Sequence, residues 1–208
     1  LAIVFHARTA NIAPEIHRDR MLLVPRAAAI KKDEQGMMNS NLSRKTVKEC
    51  FYTLQTPELV AVGTNPDNLN YLIGDIYTKL PGGADQFKTM VMSTDANFWK
   101  MFQFSFIHGN GYLQADFESG IRKVVLSETM ARKIFGKTDV INQSVMVNEI
   151  EYNISGVVKD VSSVMSLVYA DIWVPYTTLS SVTETSNAEN IVGALQVYIL
   201  AKEPADFP

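Results

Sequence analysis

Three histidines, His6, His17 and His108, are the side chains best suited to hold a metal, but no two stand at the i,i+4 spacing of a helical ligand pair and no cysteine cluster accompanies them. They read as surface or hydrogen-bonded histidines. Asp160 and Asp171 flank a serine-rich loop and could work as a general acid and base, yet their spacing along the chain does not fix their separation in space. A solvated loop face explains them. Ser155 precedes Gly156 but follows Asn153 and Ile154, so no G-x-S-x-G nucleophile turn exists, and no G-x-x-x-x-G-K-[ST] phosphate cradle is present. His108-Gly109-Asn110-Gly111 could imitate an anion-binding turn, although a plain turn is the simpler reading. Phe98, Trp99 and Phe102 could stack a ligand, but core packing is the commoner reason for such a stripe. No catalytic residue, cofactor or bound metal is expected.

Composition bounds the rest. The 208 residues are 47% apolar, 20% charged and 10% aromatic, the make-up of an ordinary folded α+β domain. Nineteen Lys and Arg against 22 Asp and Glu leave a net charge of −3, too balanced for sequence-independent phosphate binding, so no nucleic acid partner is expected. The longest apolar runs, Leu1 to Phe5 and Val197 to Ala201, fall far short of the roughly 20 residues that a membrane helix needs. Cys50 is the single cysteine, which excludes an internal disulfide. Leu1 is not an initiator methionine, and Glu203 to Pro208 reads as the edge of an excised segment.

The elements that would position these residues follow from pattern. The opening twenty residues have no clear period and suit a lead-in, Met21 to Val24 reads as a strand stopped by Pro25, and the polar Lys31 to Asn41 reads as a loop. Ser43 suits the N-cap of an amphipathic helix carrying Val47, Cys50, Phe51 and Leu54 and ending at Thr56, before Pro57. Cys50 then falls on its buried stripe as a small core hydrophobe. Leu59 to Gly63 reads as a buried strand, Thr64 to Asn70 as a turn-rich stretch and Pro81-Gly82-Gly83 as a breaker. Thr89 to Ser93 reads as a strand, with Asp95 capping a short helix that carries Phe98, Trp99 and Phe102, and Phe104 and Phe106 extending its apolar face.

From Ile121 to Leu126 a strand leads into a helix with Ser127 as N-cap, Glu128 in the first turn and Gly136 as the left-handed C′ residue. Met130, Ala131, Ile134 and Phe135 form its buried face. Alternation at Val145 and Val147, then at Tyr152, Ile154, Gly156 and Val158, predicts a β-hairpin with Asn148-Glu149 at its tip. Ile172 to Val174 reads as a strand into Pro175, Thr177 opens a helical turn, and Leu195 to Ala201 supplies a last strand.

The stretch KVVLSETMARKIFGKT (123–138), followed by DVINQSVMVNEIEYNISGVVKDV to Val161 and ADIWVPYTTL (170–179), resembles the MacB-like periplasmic core domain, an extracytoplasmic part of ABC-transporter permeases of the MacB and FtsX type. Its pattern is "LSE" opening a helix, "A-x-x-x-F-G" closing it, "P-x-G-x-x-V" before a hairpin, "Y-x-V-x-G-V-x-x-D", and "V-P-Y" at a strand end. Matching residues include Leu126, Ser127, Glu128, Ala131, Phe135, Gly136, Tyr152, Ile154, Gly156, Val157, Asp160, Val174, Pro175 and Tyr176. The segment 93–109 is also similar to the family's upstream stretch. Val140 replaces the usual proline and Asn142 the usual glycine, and asparagine tolerates positive φ better than most residues.

The resemblance implies an α+β fold: a porter-like α/β subdomain of strand–helix–strand units (1–108 plus 175–208) and an inserted, mainly β, sabre-like subdomain with one helix (109–174). Ser127, Glu128, Phe135, Gly136, Tyr152, Gly156, Asp160, Pro175 and Tyr176 would define the fold and carry no reaction. It implies a non-catalytic, extracytoplasmic module of a permease anchored by membrane helices, coupling cytoplasmic ATP hydrolysis to transport or to a partner outside the membrane. Its partners would be a cytoplasmic ATPase subunit, a second permease subunit and an extracytoplasmic protein. Two other classes compete: a surface ligand-binding sensor, which needs the Trp99 aromatics to line an open cleft, and a secreted enzyme using Asp160 and Asp171. For an insert between two membrane helices, Leu1 and Pro208 should lie together, with the hairpin tip far from them.

Overall fold

The computed structural model describes residues 12–30, 37–180, 182 and 192–203. In chain order the strands are β1 (Met21–Val24), β2 (Ala27–Ile30), β3 (Met37–Leu42), β4 (Leu59–Thr64), β5 (Tyr77–Lys79), β6 (Phe87–Lys88), β7 (Val91–Thr94), β8 (Phe106–Gly109), β9 (Lys123–Ser127), β10 (Ser144–Val147), β11 (Ile150–Val158), β12 (Ile172–Pro175), β13 (Val192–Gly193) and β14 (Leu195–Leu200). The helices are α1 (Arg44–Thr46), which runs into a π-helical turn (Val47–Phe51), then α2 (Pro66–Ile73), α3 (Phe98–Met101), α4 (Gln114–Glu118) and α5 (Glu128–Phe135).

One mixed sheet runs β13-β3-β14-β4-β7-β12-β9-β11-β10-β5-β6, with β1 on β14, β2 on β3 and β8 on β11. The pairs β12/β7 and β11/β9 are parallel, and α5 lies in the connection from β9 to its parallel neighbour. Its central strands are buried on both faces, which accounts for their continuous apolar runs. Val124 and Leu126 join one core with Val60, Val62, Val91, Ile172 and Val174, while Val125 joins the other with Ala61, Met92 and Trp173. The buried face of α5 covers the first core, and Phe98 and Met101 of α3 cover the second.

Local chemistry explains the best-defined elements. Ser127 Oγ accepts from Met130 N at 3.2 Å, and Gly136 closes α5 at φ 72°. Asn142 takes φ 64°, so asparagine keeps the turn where the resembled pattern has glycine. Asn148 (φ 44°) and Glu149 (φ 63°) form the two-residue tip of the β10–β11 hairpin, a mirror-image turn whose twist suits the strands.

Five expectations need correction. Residues 37–41 are not loop but strand, because β3 pairs with β2 along Ala27↔Ser40 to Ile30↔Met37 and the ladder satisfies a backbone whose polar side chains gave no strand signal. Residues 66–70 are helical: Asn65 Oδ1 accepts from Asp67 N (2.9 Å) and Asn68 N (3.3 Å), and Pro66 fits the first helical position. The amphipathic helix after Ser43 ends early, since Tyr52 N donates to Val47 O across an i→i+5 turn that rotates the later residues off the α-helical face. Cys50 is consequently exposed while Val47 is fully buried. Phe135 is half-buried, at the last turn of α5 beside Gly136.

Candidate functional site

The first and last described strands are neighbours. Met21 pairs with Leu200 and Val24 with Val197, so the chain enters β1 and leaves β14 at the same end of one antiparallel ladder. Along the sheet, five strands separate β14 from β10, so the hairpin that carries Asn148-Glu149 is displaced by six inter-strand steps, roughly 29 Å at about 4.8 Å each. Leu1, His6 and Pro208 lie outside the described residues.

The motif residues of the second half form two polar joints. At the start of α5, the carboxylate of Asp160 accepts from Thr129 N (2.9 Å) and Thr129 Oγ1 (2.6 Å), capping the positive end of the helix. Glu128 pairs with Arg132 at 2.8 Å, one turn on. Asp171 turns away to accept from Met90 N at 2.8 Å, while its carbonyl accepts from Ser127 N. Asp160 and Asp171 do border one small cavity of about 200 Å³ with Thr129 and Tyr169. Each carboxylate is already held by main-chain donors, so their arrangement splices α5 and β12 to the sheet.

The second joint gathers around the end of β12. Tyr152, fully buried, places its hydroxyl 3.0 Å from Thr178 Oγ1, which donates to Pro175 O at 2.7 Å. Tyr176 stacks edgewise on Phe117 (centroids 4.8 Å apart) and lies 3.3 Å from the Tyr52 hydroxyl. Tyr52 in turn donates to Asp95 Oδ2 at 2.9 Å, and Asp95 Oδ1 accepts from Phe98 N at 3.0 Å, as a cap on the turn before α3. Asp95 is 2% exposed and, among the described residues, no cation forms an ion pair with it; burial raises its pKa to about 7 against the lowering pull of its hydrogen bonds and of Lys100. Gly156 serves a different need, because a Cβ there would stand 2.6 Å from Asn110 O and 2.7 Å from the Phe106 ring.

Trp99 is surrounded by the rings of Phe98, Phe104, Phe106, Tyr112 and Trp173, all with centroids within 6.1 Å. These aromatics pack on one another over the second core, with Trp99 itself partly buried. His17 lies beside Arg20, and His108 Nε2 is 3.3 Å from Thr138 Oγ1. Among the described residues, no three His, Cys, Asp or Glu side chains converge as metal ligands.

Sequence reasoning missed two buried carboxylates, Asp95 and Glu15, and the tyrosine that binds the first of them. Tyr52 was hidden in a helix whose π turn redirects it, and Asp95 was read only as a cap. Glu15, 2% exposed, fastens the lead-in: it accepts from Arg18 (2.8 Å) and Leu167 N (3.3 Å), and burial raises its pKa in spite of Arg18. An acidic residue between the strand run Val91–Thr94 and the aromatic helix from Phe98 was the available signal for Asp95.

Known proteins place this architecture. A domain of a putative permease from Porphyromonas gingivalis superposes with TM-score 0.59 at 21% identity, over 89% of this chain and 76% of that one. The periplasmic region of MacB from Actinobacillus actinomycetemcomitans gives 0.61 at 14%, over 88% and 75%, and the extracellular domain of the noncanonic ABC-type transporter YknZ from Gram-positive bacteria gives 0.59 at 14%, over 88% and 84%. In sequence, the uncharacterized ABC transporter permease YknZ of Bacillus subtilis is 32% identical over 89 residues, 43% of this chain and 22% of that protein. The chain therefore aligns with about a fifth of that relative's length. The profile of the MacB-like periplasmic core domain matches residues 1–208, and with the mixed α/β sheet in place the chain belongs to that family.

Proposed function

We propose that this chain is the non-catalytic extracytoplasmic domain of an ABC transporter permease, coupling ATP hydrolysis by a cytoplasmic subunit to transport or to a partner outside the membrane. One observation carries the reading: the Met21↔Leu200 pair brings the start of the first described strand and the end of the last one to one place. A domain held between two membrane helices must return to the bilayer face it left, and adjacent first and last strands meet that demand. The carboxylates and tyrosines of the two joints engage one another and the main chain, which supports a structural role. Residues 1–108 with 175–208, and residues 109–174, are then a division by role within one sheet, the second part presenting the hairpin away from the membrane. A second permease subunit and an extracytoplasmic protein complete the set of partners.

The test is excision of residues 21–201 from the full-length protein and their replacement by a short Gly/Ser linker. ATP hydrolysis by the assembled transporter should persist while transport or partner activation is lost. Normal transport without the segment would refute the reading.

A further inference from the structure

Ala201 and Lys202 lie beyond the last ladder pair of β14, so no strand supplies donors to their carbonyls. One side chain does. Arg20, immediately before β1, directs Nη1 to Ala201 O at 2.7 Å and Lys202 O at 3.2 Å, and pairs the same nitrogen with the Glu58 carboxylate ahead of β4. Its Nη2 stands 3.4 Å from His17 Nδ1. The main chain closes the same junction, with Ala201 N donating to Arg20 O and Glu58 N to Leu200 O, both at 2.9 Å. The Arg20 side chain is only 17% exposed. All three acceptors gather at Nη1 and share its two hydrogens, while the planar guanidinium places Nη2 beside His17 from the same rigid group.

We propose that Arg20 is a positioning residue: it clasps the segment entering β1 to the segment leaving β14, so that both move as one unit and displacement at this end passes into the sheet instead of prying the two strands apart. This rests on the reading of the domain as a permease insert.

The test uses the full-length protein in lipid nanodiscs, with Arg20→Ala and Arg20→Lys. Hydrogen exchange in the peptide spanning 197–202 should quicken on the order of ten-fold in Arg20→Ala, with partial rescue in Arg20→Lys, which keeps a cation with three donors on one nitrogen, while the hairpin peptide 145–152 is unchanged. Unchanged exchange at 197–202, or equal acceleration in the hairpin, overturns the clasp. In a Cys50→Ser background, spin labels at Ile12 and Lys202 should give one narrow distance in both nucleotide-free and ATP-analogue-bound states, and a broad or state-dependent one once Arg20 is alanine. A state-dependent distance with Arg20 intact also overturns it. If the nucleotide also leaves unchanged the distance between a label at Lys202 and one on the cytoplasmic ATPase subunit, the permease reading falls, and the exchange data still decide the clasp.

Discussion

Asp95→Asn should change how stability depends on pH. The Asp95 carboxyl titrates near 3.8 in the unfolded chain and is pushed up to about 7 in the fold, chiefly by burial. Between those values the folded protein keeps a proton that the unfolded chain has released, so this residue makes stability fall as pH rises, most steeply at about 1.4 kcal/mol per pH unit. Across an interval of roughly three pH units the ceiling is on the order of 4 kcal/mol, fully present as stability below pH 4 and lost above pH 7. Asparagine cannot titrate, and it can still be satisfied: its carbonyl accepts from Phe98 N while its amide donates to the Tyr52 oxygen, which turns its own proton toward Tyr176. Urea unfolding of both proteins from pH 4 to pH 8 gives the comparison, and it cancels the parallel contribution of Glu15, whose pKa is also raised. The native protein should be equal or slightly the more stable at pH 4, and the asparagine variant should overtake it by several kcal/mol at pH 8. A difference between the two that stays constant across this range would refute the reasoning. Tyr52→Phe removes a hydrogen bond that lowers the Asp95 pKa and should move the same fall in stability to higher pH.

Gly136→Val should cost about 1–2 kcal/mol and lower Tm by about 2–8 °C, purely through backbone strain, because a Cβ at Gly136 meets no atom within 4 Å. An unchanged melting curve would contradict the left-handed closure of α5. Gly156→Ala should cost about 1–3 kcal/mol by overpacking against Asn110 and Phe106, read as a shift in the urea midpoint without a change in slope. Removing divalent cations with a chelator should leave the melting temperature unchanged, and stoichiometric zinc by elemental analysis, lost on mutating His17 or His108, would overturn that expectation.

How far the sequence disclosed this molecule depends on how local each determinant is. In α5, cap, apolar spacing, first-turn acid and terminal glycine all agree within ten residues, and the structure follows them. The β10–β11 hairpin was legible for the same reason, through alternation on both sides of Asn148-Glu149. The π turn after Thr46 was not, because widening to i→i+5 hydrogen bonds turns Cys50 outward and brings the Tyr52 hydroxyl to Asp95 without leaving a mark on residue type. Nor was β3, which owes its extended form to pairing with β2, β13 and β14. Asn65-Pro66 was a readable helix start that turn-like composition obscured. The polar joint at Asp95 draws Tyr52 from 43 residues away and, through it, Tyr176 from 124 residues beyond Tyr52, and no spacing rule reaches that far.

The central claim is that this sheet stands on the far side of the membrane from the ATPase, and Cys50, the chain's single cysteine, is exposed to report it. Spheroplasts producing the full-length protein, with any cysteines outside this domain replaced, would be treated with a membrane-impermeant maleimide before and after lysis. The account predicts full modification of Cys50 in intact spheroplasts, with no gain on lysis. Modification that appears only once the membrane is broken would place the domain on the cytoplasmic side and contradict it.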